Sequence, residues 1–123
     1  MCAVSQGSPM AALSDPEILA MFRHALSLWR FTGYVTVKPT AAEWLDRNVS
    51  AFTATDLGRL LFEHVESGGE IDQVRETRLA WSEHRFHYDF RVLIGERRLY
   101  VETVLRNDDP ADPTLHVVSI HDA

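Results

Sequence analysis

The chain has 123 residues, 46% hydrophobic and 24% charged, with a formal net charge of −6. Length and composition describe one globular domain, and exclude both a disordered chain and one that needs disulfides or metal to hold a core. The acidic balance excludes a general nucleic-acid binder, and no stretch approaches the roughly 20 apolar residues of a membrane span.

The single cysteine, Cys2, allows no internal disulfide, which fits a reducing compartment. Residues 1–13 lack the basic start and apolar run of a secretion signal, so a cytoplasmic location is expected. Ser5, Gly7, Ser8 and Pro9 mark residues 1–13 as a flexible leader, followed by a single domain over 14–123. Eleven of the twelve basic residues are arginine, and seven of them fall between Ile71 and Arg106. Arginine suits planar recognition of carboxylate or phosphate, so a local anion site remains compatible with the overall charge.

Ser14-Asp15-Pro16-Glu17 has the form of a capping box, and Ile18, Phe22, Ala25 and Trp29 repeat with helical spacing. A first helix is therefore expected from there to a stop near Gly33. Tyr34 to Val37 is strand-forming but very short. Thr40 and Glu43 form a second capping box, which predicts a short helix over Ala41 to Arg47 with Trp44 and Leu45 turned inward. Thr53 or Thr55 caps a third helix with Leu57, Leu60, Leu61 and Val65 as its apolar stripe, ended by Gly68-Gly69.

From Ile71 the period changes from helical to two. Ile71 to Arg78 reads as a strand with poor alternation. His84 to Ile94 alternates cleanly, with Phe86, Tyr88, Phe90, Val92 and Ile94 on one side. Gly95-Glu96 is a type II′ hairpin signal, and Arg97 to Leu105 returns. That turn sets Ile94 against Arg97, Val92 against Leu99, Phe90 against Val101, Tyr88 against Thr103 and Phe86 against Leu105, an apolar or amphipathic face throughout. After an acidic loop, Thr114 to His121 completes a meander. The fold class is α+β, with N-terminal helices packed on one face of a four-stranded antiparallel meander.

The same register gives the hairpin a second, polar face. Asp89 stands opposite Glu102, Arg91 opposite Tyr100 and His87 opposite Val104. Two facing carboxylates are unfavourable unless cations such as Arg91, His87 or Arg75 neutralise them. His87, Asp89, Arg91, Tyr100 and Glu102 thus combine an acid or base, an anion clamp and a phenol on one surface. A solvated ion-pair lattice explains the same residues without any activity. Histidine spacing gives no metal signature: His84 and His87 diverge on a strand, as do His116 and His121. No cofactor or metal is expected, and no nucleotide-binding loop or nucleophile elbow is present.

The order of elements, with "YVTVKPTAAEWLDRN", "TATDLGRLLFEHVESGG" and a meander ending in "LHVVSIH", resembles the RelE-like superfamily, nearest to the motility quorum-sensing regulator toxins and their uncharacterised relatives. The resemblance implies a metal-independent, RNA-cleaving toxin with RNA as substrate and an antitoxin protein as partner. It carries over Tyr100 in "RRLYVE" as a positioning phenol. By location, His87 is its acid or base and Arg91 its phosphate clamp, with Arg75 or Arg78 supplying a further cation and Asp89 and Glu102 lining the site. Such toxins are typically basic, whereas this chain is acidic. The alternative is a non-catalytic protein- or ligand-binding module on the same fold.

Overall fold

The computed structural model describes residues 10–123. Strand β1 (Met10–Ala12) leads to helix α1 (Pro16–Ser27), strand β2 (Val35–Val37) and helices α2 (Pro39–Asn48) and α3 (Ala54–Glu66). Strands β3 (Ile71–Arg75), β4 (Phe86–Ile94), β5 (Arg97–Asn107) and β6 (Thr114–Asp122) follow. A 3₁₀ turn at Leu79–Trp81 interrupts the β3–β4 connection. No helix among the described residues is long and apolar enough to cross a membrane.

The expected α+β class holds, but the sheet has six strands in the order β1-β3-β4-β5-β6-β2. The four-stranded meander is its centre. Two three-residue strands add to its edges, β1 antiparallel to β3 and β2 parallel to β6. Strand β2 lies within the strand-forming stretch Tyr34 to Val37, whereas β1 is too short for a readable alternation and only its pairing reveals it. Met10–Ala12 therefore belongs to the sheet rather than to a leader; residues 1–9 lie outside the described residues.

Helix starts follow local chemistry. Asp15, not Ser14, caps α1, accepting from the backbone N–H of Glu17, with Pro16 in the first turn. Helix α2 starts earlier than Thr40 suggested, at Pro39 after Lys38, and has no side-chain cap. Thr53 and Asp56 form a reciprocal capping box at α3. Gly68 takes a φ of +78° just beyond its end, a conformation glycine adopts at no steric cost.

The hairpin register is the one the turn predicts from Ile94↔Arg97 to Tyr88↔Thr103. Gly95 has a φ of +64° and Glu96 is not in the positive region, as a type II′ turn requires. Phe22 of α1 meets Tyr88 and Phe90 edge-on at 5.0 and 5.6 Å. With Leu26, Leu57, Leu61, Leu99, Val101 and Val117 these rings form the core between helices and sheet. Full burial of such side chains contributes roughly 1.5–3 kcal/mol each.

A bulge in β6 changes which side chains share a face. Glu102 pairs with Ser119 but Thr103 pairs with Val117, so Val118 is an extra residue. His116 and His121, five apart in sequence, therefore do not diverge. Both lie on the sheet face away from the helices, His116 opposite Val104 and His121 opposite Tyr100.

Candidate functional site: a carboxylate row on the far face of the sheet

The face away from the helices carries Asp72, Asp89, Glu102 and Ser119 side by side across β3, β4, β5 and β6. Three carboxylates thus stand abreast. The β3–β4 connection folds over one flank. Its Trp81 lies 6.0 Å from the ring of His116, and its Arg78 contacts Glu102. Val104, opposite His116, and Val118 are buried although neither belongs to the main core.

Glu76 is the most enclosed acid here, its side chain 1% exposed. Both its oxygens are held by Arg78, at 2.8 and 2.9 Å, and one also accepts from the backbone N–H groups of Thr77 and Arg78. The hydrogen-bonded guanidinium pulls the Glu76 carboxyl down to about 2 against its desolvation. Arg78 turns its remaining reach to Glu102, whose other oxygen accepts from Ser119 at 3.3 Å. Arg91 is held by Asp72 at 3.0 Å and Glu70 at 2.8 Å.

Asp89, in the middle of the row, has no such partner. The nearest basic side chain is that of His87, its Nε2 3.8 Å away. Burial raises its pKa, and the neighbouring charges of Glu102 and Asp72 add to that while His87 opposes it. On its other side His87 places Nδ1 3.3 Å from Glu76, at an angle that makes no hydrogen bond. Among the described residues, the buried side-chain atoms without a hydrogen bond are His87 Nδ1, Asp89 Oδ1 and Glu102 Oε2. His87, Asp89 and Glu102 each offer a ligand atom within 4.8 Å of the others. Spacing between histidines alone does not reveal this combination of one histidine with two carboxylates.

Of the residues expected to act together, His87, Asp89, Arg91, Tyr100 and Glu102 do share this face. They do not converge on one point. His87 and Arg91 are four residues apart on one strand, about 14 Å at roughly 3.4 Å per residue, and the Asp89–Glu102 pair lies between them. Tyr100 stands opposite Arg91 with its ring edge-on to His121 at 5.5 Å. Arg75 lies on the other side of the sheet: it shares parity with Ile71, a core residue, and pairs with Phe86. Arg78 reaches the face from the connection, not from a strand.

Asp72, Glu76, Ser119 and His121 were not anticipated. Glu76 and Asp72 depend on the path of the ten-residue connection between β3 and β4, and Ser119 and His121 on the bulge. Neither of two open depressions contains the row. One of about 500 Å³ lies beside the start of α1 and includes Tyr88, and one of about 600 Å³ includes Arg91, Arg98 and Tyr100. Comparison with protein-family models, with curated proteins and with solved structures gives no match for this chain.

Proposed function

We propose that this chain is a non-catalytic binding module whose working surface is the carboxylate row, and that its occupant is positively charged. The observation that carries the reading is the imbalance of charge on a rigid surface. Four carboxylates, of Asp72, Glu76, Asp89 and Glu102, face two guanidiniums, of Arg78 and Arg91. Like charges directly opposite one another destabilise a sheet, so a fold that keeps three abreast retains them at a cost. Such local conflicts concentrate at functional sites.

The RelE-like resemblance supports a different reading, an RNA-cleaving toxin held by an antitoxin. That chemistry needs unpaired cations around one scissile phosphate. Here Arg78, Arg91 and His87 each stand against a carboxylate, and His87 is separated from Arg91 and Tyr100 by acids. The geometry therefore favours a cationic occupant over a polyanion.

The test compares the folded chain against total RNA and against a cationic probe, oligolysine. The binding reading expects intact RNA and a rise in melting temperature with oligolysine that Asp89→Asn diminishes. Cleavage of RNA that disappears in a His87→Ala/Tyr100→Phe double variant would establish the toxin reading instead.

A further inference from the structure

We propose that His87, Asp89 and Glu102 bind one divalent transition-metal ion, with Glu76 holding His87 in the ligating orientation. The proposal rests on the cationic-occupant reading and names the occupant.

The three groups are held by backbone geometry. Asp89 and Glu102 are a direct cross-strand pair, and His87 precedes Asp89 by two residues on the same face. Nε2 of His87 lies 3.8 Å from Oδ1 of Asp89, and all three ligand atoms fall within 4.8 Å. Ligands bonded at about 2.1 Å sit roughly 3–3.5 Å from one another, so a small inward rotation of each side chain closes the site. Asp89 Oδ1 is buried and accepts no hydrogen bond, which leaves lone pairs to give, whereas Glu102 Oε2 is shared with the guanidinium of Arg78.

A second feature points the same way. A metal-bound histidine characteristically turns its other ring nitrogen to a carboxylate, which fixes tautomer and orientation. His87 Nδ1 stands 3.3 Å from the buried carboxylate of Glu76, close enough for a small turn of the ring to complete a hydrogen bond that the present angle does not make, and Glu76 is itself immobilised by Arg78 and two backbone N–H groups. That arrangement leaves Nε2 for the ion. Arg78 contacts Glu102 as well, so ion binding draws Glu102 partly away from it; Arg78 keeps its paired bonds to Glu76.

One imidazole with two carboxylates selects against Ca²⁺, which takes an all-oxygen shell, and suits Zn²⁺ or Mn²⁺. Three protein ligands leave at least one position for water or for a group on a partner.

The full chain, freed of metal with a chelator, is titrated separately with Zn²⁺ and Mn²⁺ by calorimetry. Nuclear magnetic resonance then records which histidine rings Mn²⁺ broadens. One ion per chain is expected, with the His87 ring broadened and His24 unaffected. Affinity falls more than about tenfold in His87→Ala and Asp89→Asn, and roughly tenfold in Glu76→Gln, while His24→Ala binds as the parent does. Circular dichroism confirms that each variant is folded; Asp89→Asn removes a like-charge contact and serves as the variant that keeps the fold. No uptake at millimolar metal, or equal affinity in His87→Ala and Asp89→Asn to that of the parent, overturns the proposal. Stabilisation by oligolysine without metal uptake overturns the metal alone and leaves the cationic-occupant reading in place. RNA cleavage overturns that reading, and the titration still decides the metal.

Discussion

Asp89 and Glu102 face each other directly across the β4–β5 ladder, and Asp72 faces Asp89 from the strand on its other side. Glu102 has a guanidinium and a serine hydroxyl to share its charge, and Asp72 has Arg91. Asp89 has only an imidazole 3.8 Å away. Its carboxylate is therefore the strained member of the row.

Asp89→Asn should stabilise the metal-free protein by about 0.5–1 kcal/mol near neutral pH, a few degrees in Tm. The sign follows from the raised folded-state pKa of Asp89. The native state retains a proton that the unfolded state has lost, so stability declines as pH rises above the ordinary value of 3.8. The advantage of asparagine should vanish in acid, where Asp89 is protonated in both states. Thermal melts across the acid range check both points, and a lower Tm for Asp89→Asn at neutral pH would show that the row is a balanced lattice.

Glu76 has the opposite linkage. Its pKa is depressed from 4.5 to about 2, so its contribution is complete above 4.5 and lost as pH falls toward 2. Glu76→Gln should cost on the order of 2 kcal/mol at neutral pH, a figure reduced for the partial exposure of Arg78. It should also flatten the acid limb of the stability profile. Urea denaturation at pH 7 and pH 3 measures both effects.

His116 gives a third pH signature. Burial lowers its pKa below 6.5, with Arg106, Lys38 and His84 adding to the effect, and its Nδ1 meets the Thr36 hydroxyl at 2.7 Å. Stability from this group is present above 6.5 and falls as pH drops below that value. A midpoint in urea that decreases from neutral toward mildly acidic pH, and decreases less in His116→Gln, is the expected result.

Tyr88 should control the alkaline limb. Burial, with the charges of Asp15 and Asp108, pushes its phenol up to about 12 from 10. The unfolded chain ionises first, so stability falls as pH rises from 10 toward 12. Tyr88→Phe should remove that loss while changing neutral-pH stability by less than about 1 kcal/mol, because the ring and its packing on Phe22 are kept. Tyr88→Ala should cost about 3–5 kcal/mol by opening the core. Urea melts of the parent and both variants at neutral and alkaline pH measure these differences.

What the sequence made legible was local. Gly95 and the alternation from Phe86 to Ile94 determine a two-residue turn, and that turn alone sets Asp89 against Glu102 and Arg91 against Tyr100. Thr53 and Asp56 are three residues apart, so their capping box also reads directly. What stayed hidden depends on distance along the chain or on irregularity. The Asp72–Asp89 register follows a ten-residue connection whose path no period fixes, and that path also delivers Glu76 and Arg78 to the far face. The bulge at Val118 shifts parity by one, which is why His116 and His121 share a side. A strict period of two assigns such pairs to opposite sides.

The position of β6 has a consequence for how the chain is made. This last strand is an interior strand, and β2, near the beginning, pairs with nothing else in the sheet. Thr36 and His116, which join them, are 80 residues apart. During synthesis the segment holding β2 is made long before its pairing partner. Until Leu115 to Val117 are available to pair with it, that segment has no place in the sheet. Contacts so distant in sequence slow folding, because the intervening loop must be ordered before they repay it. Assembly is thus expected to finish only after β6 has been made.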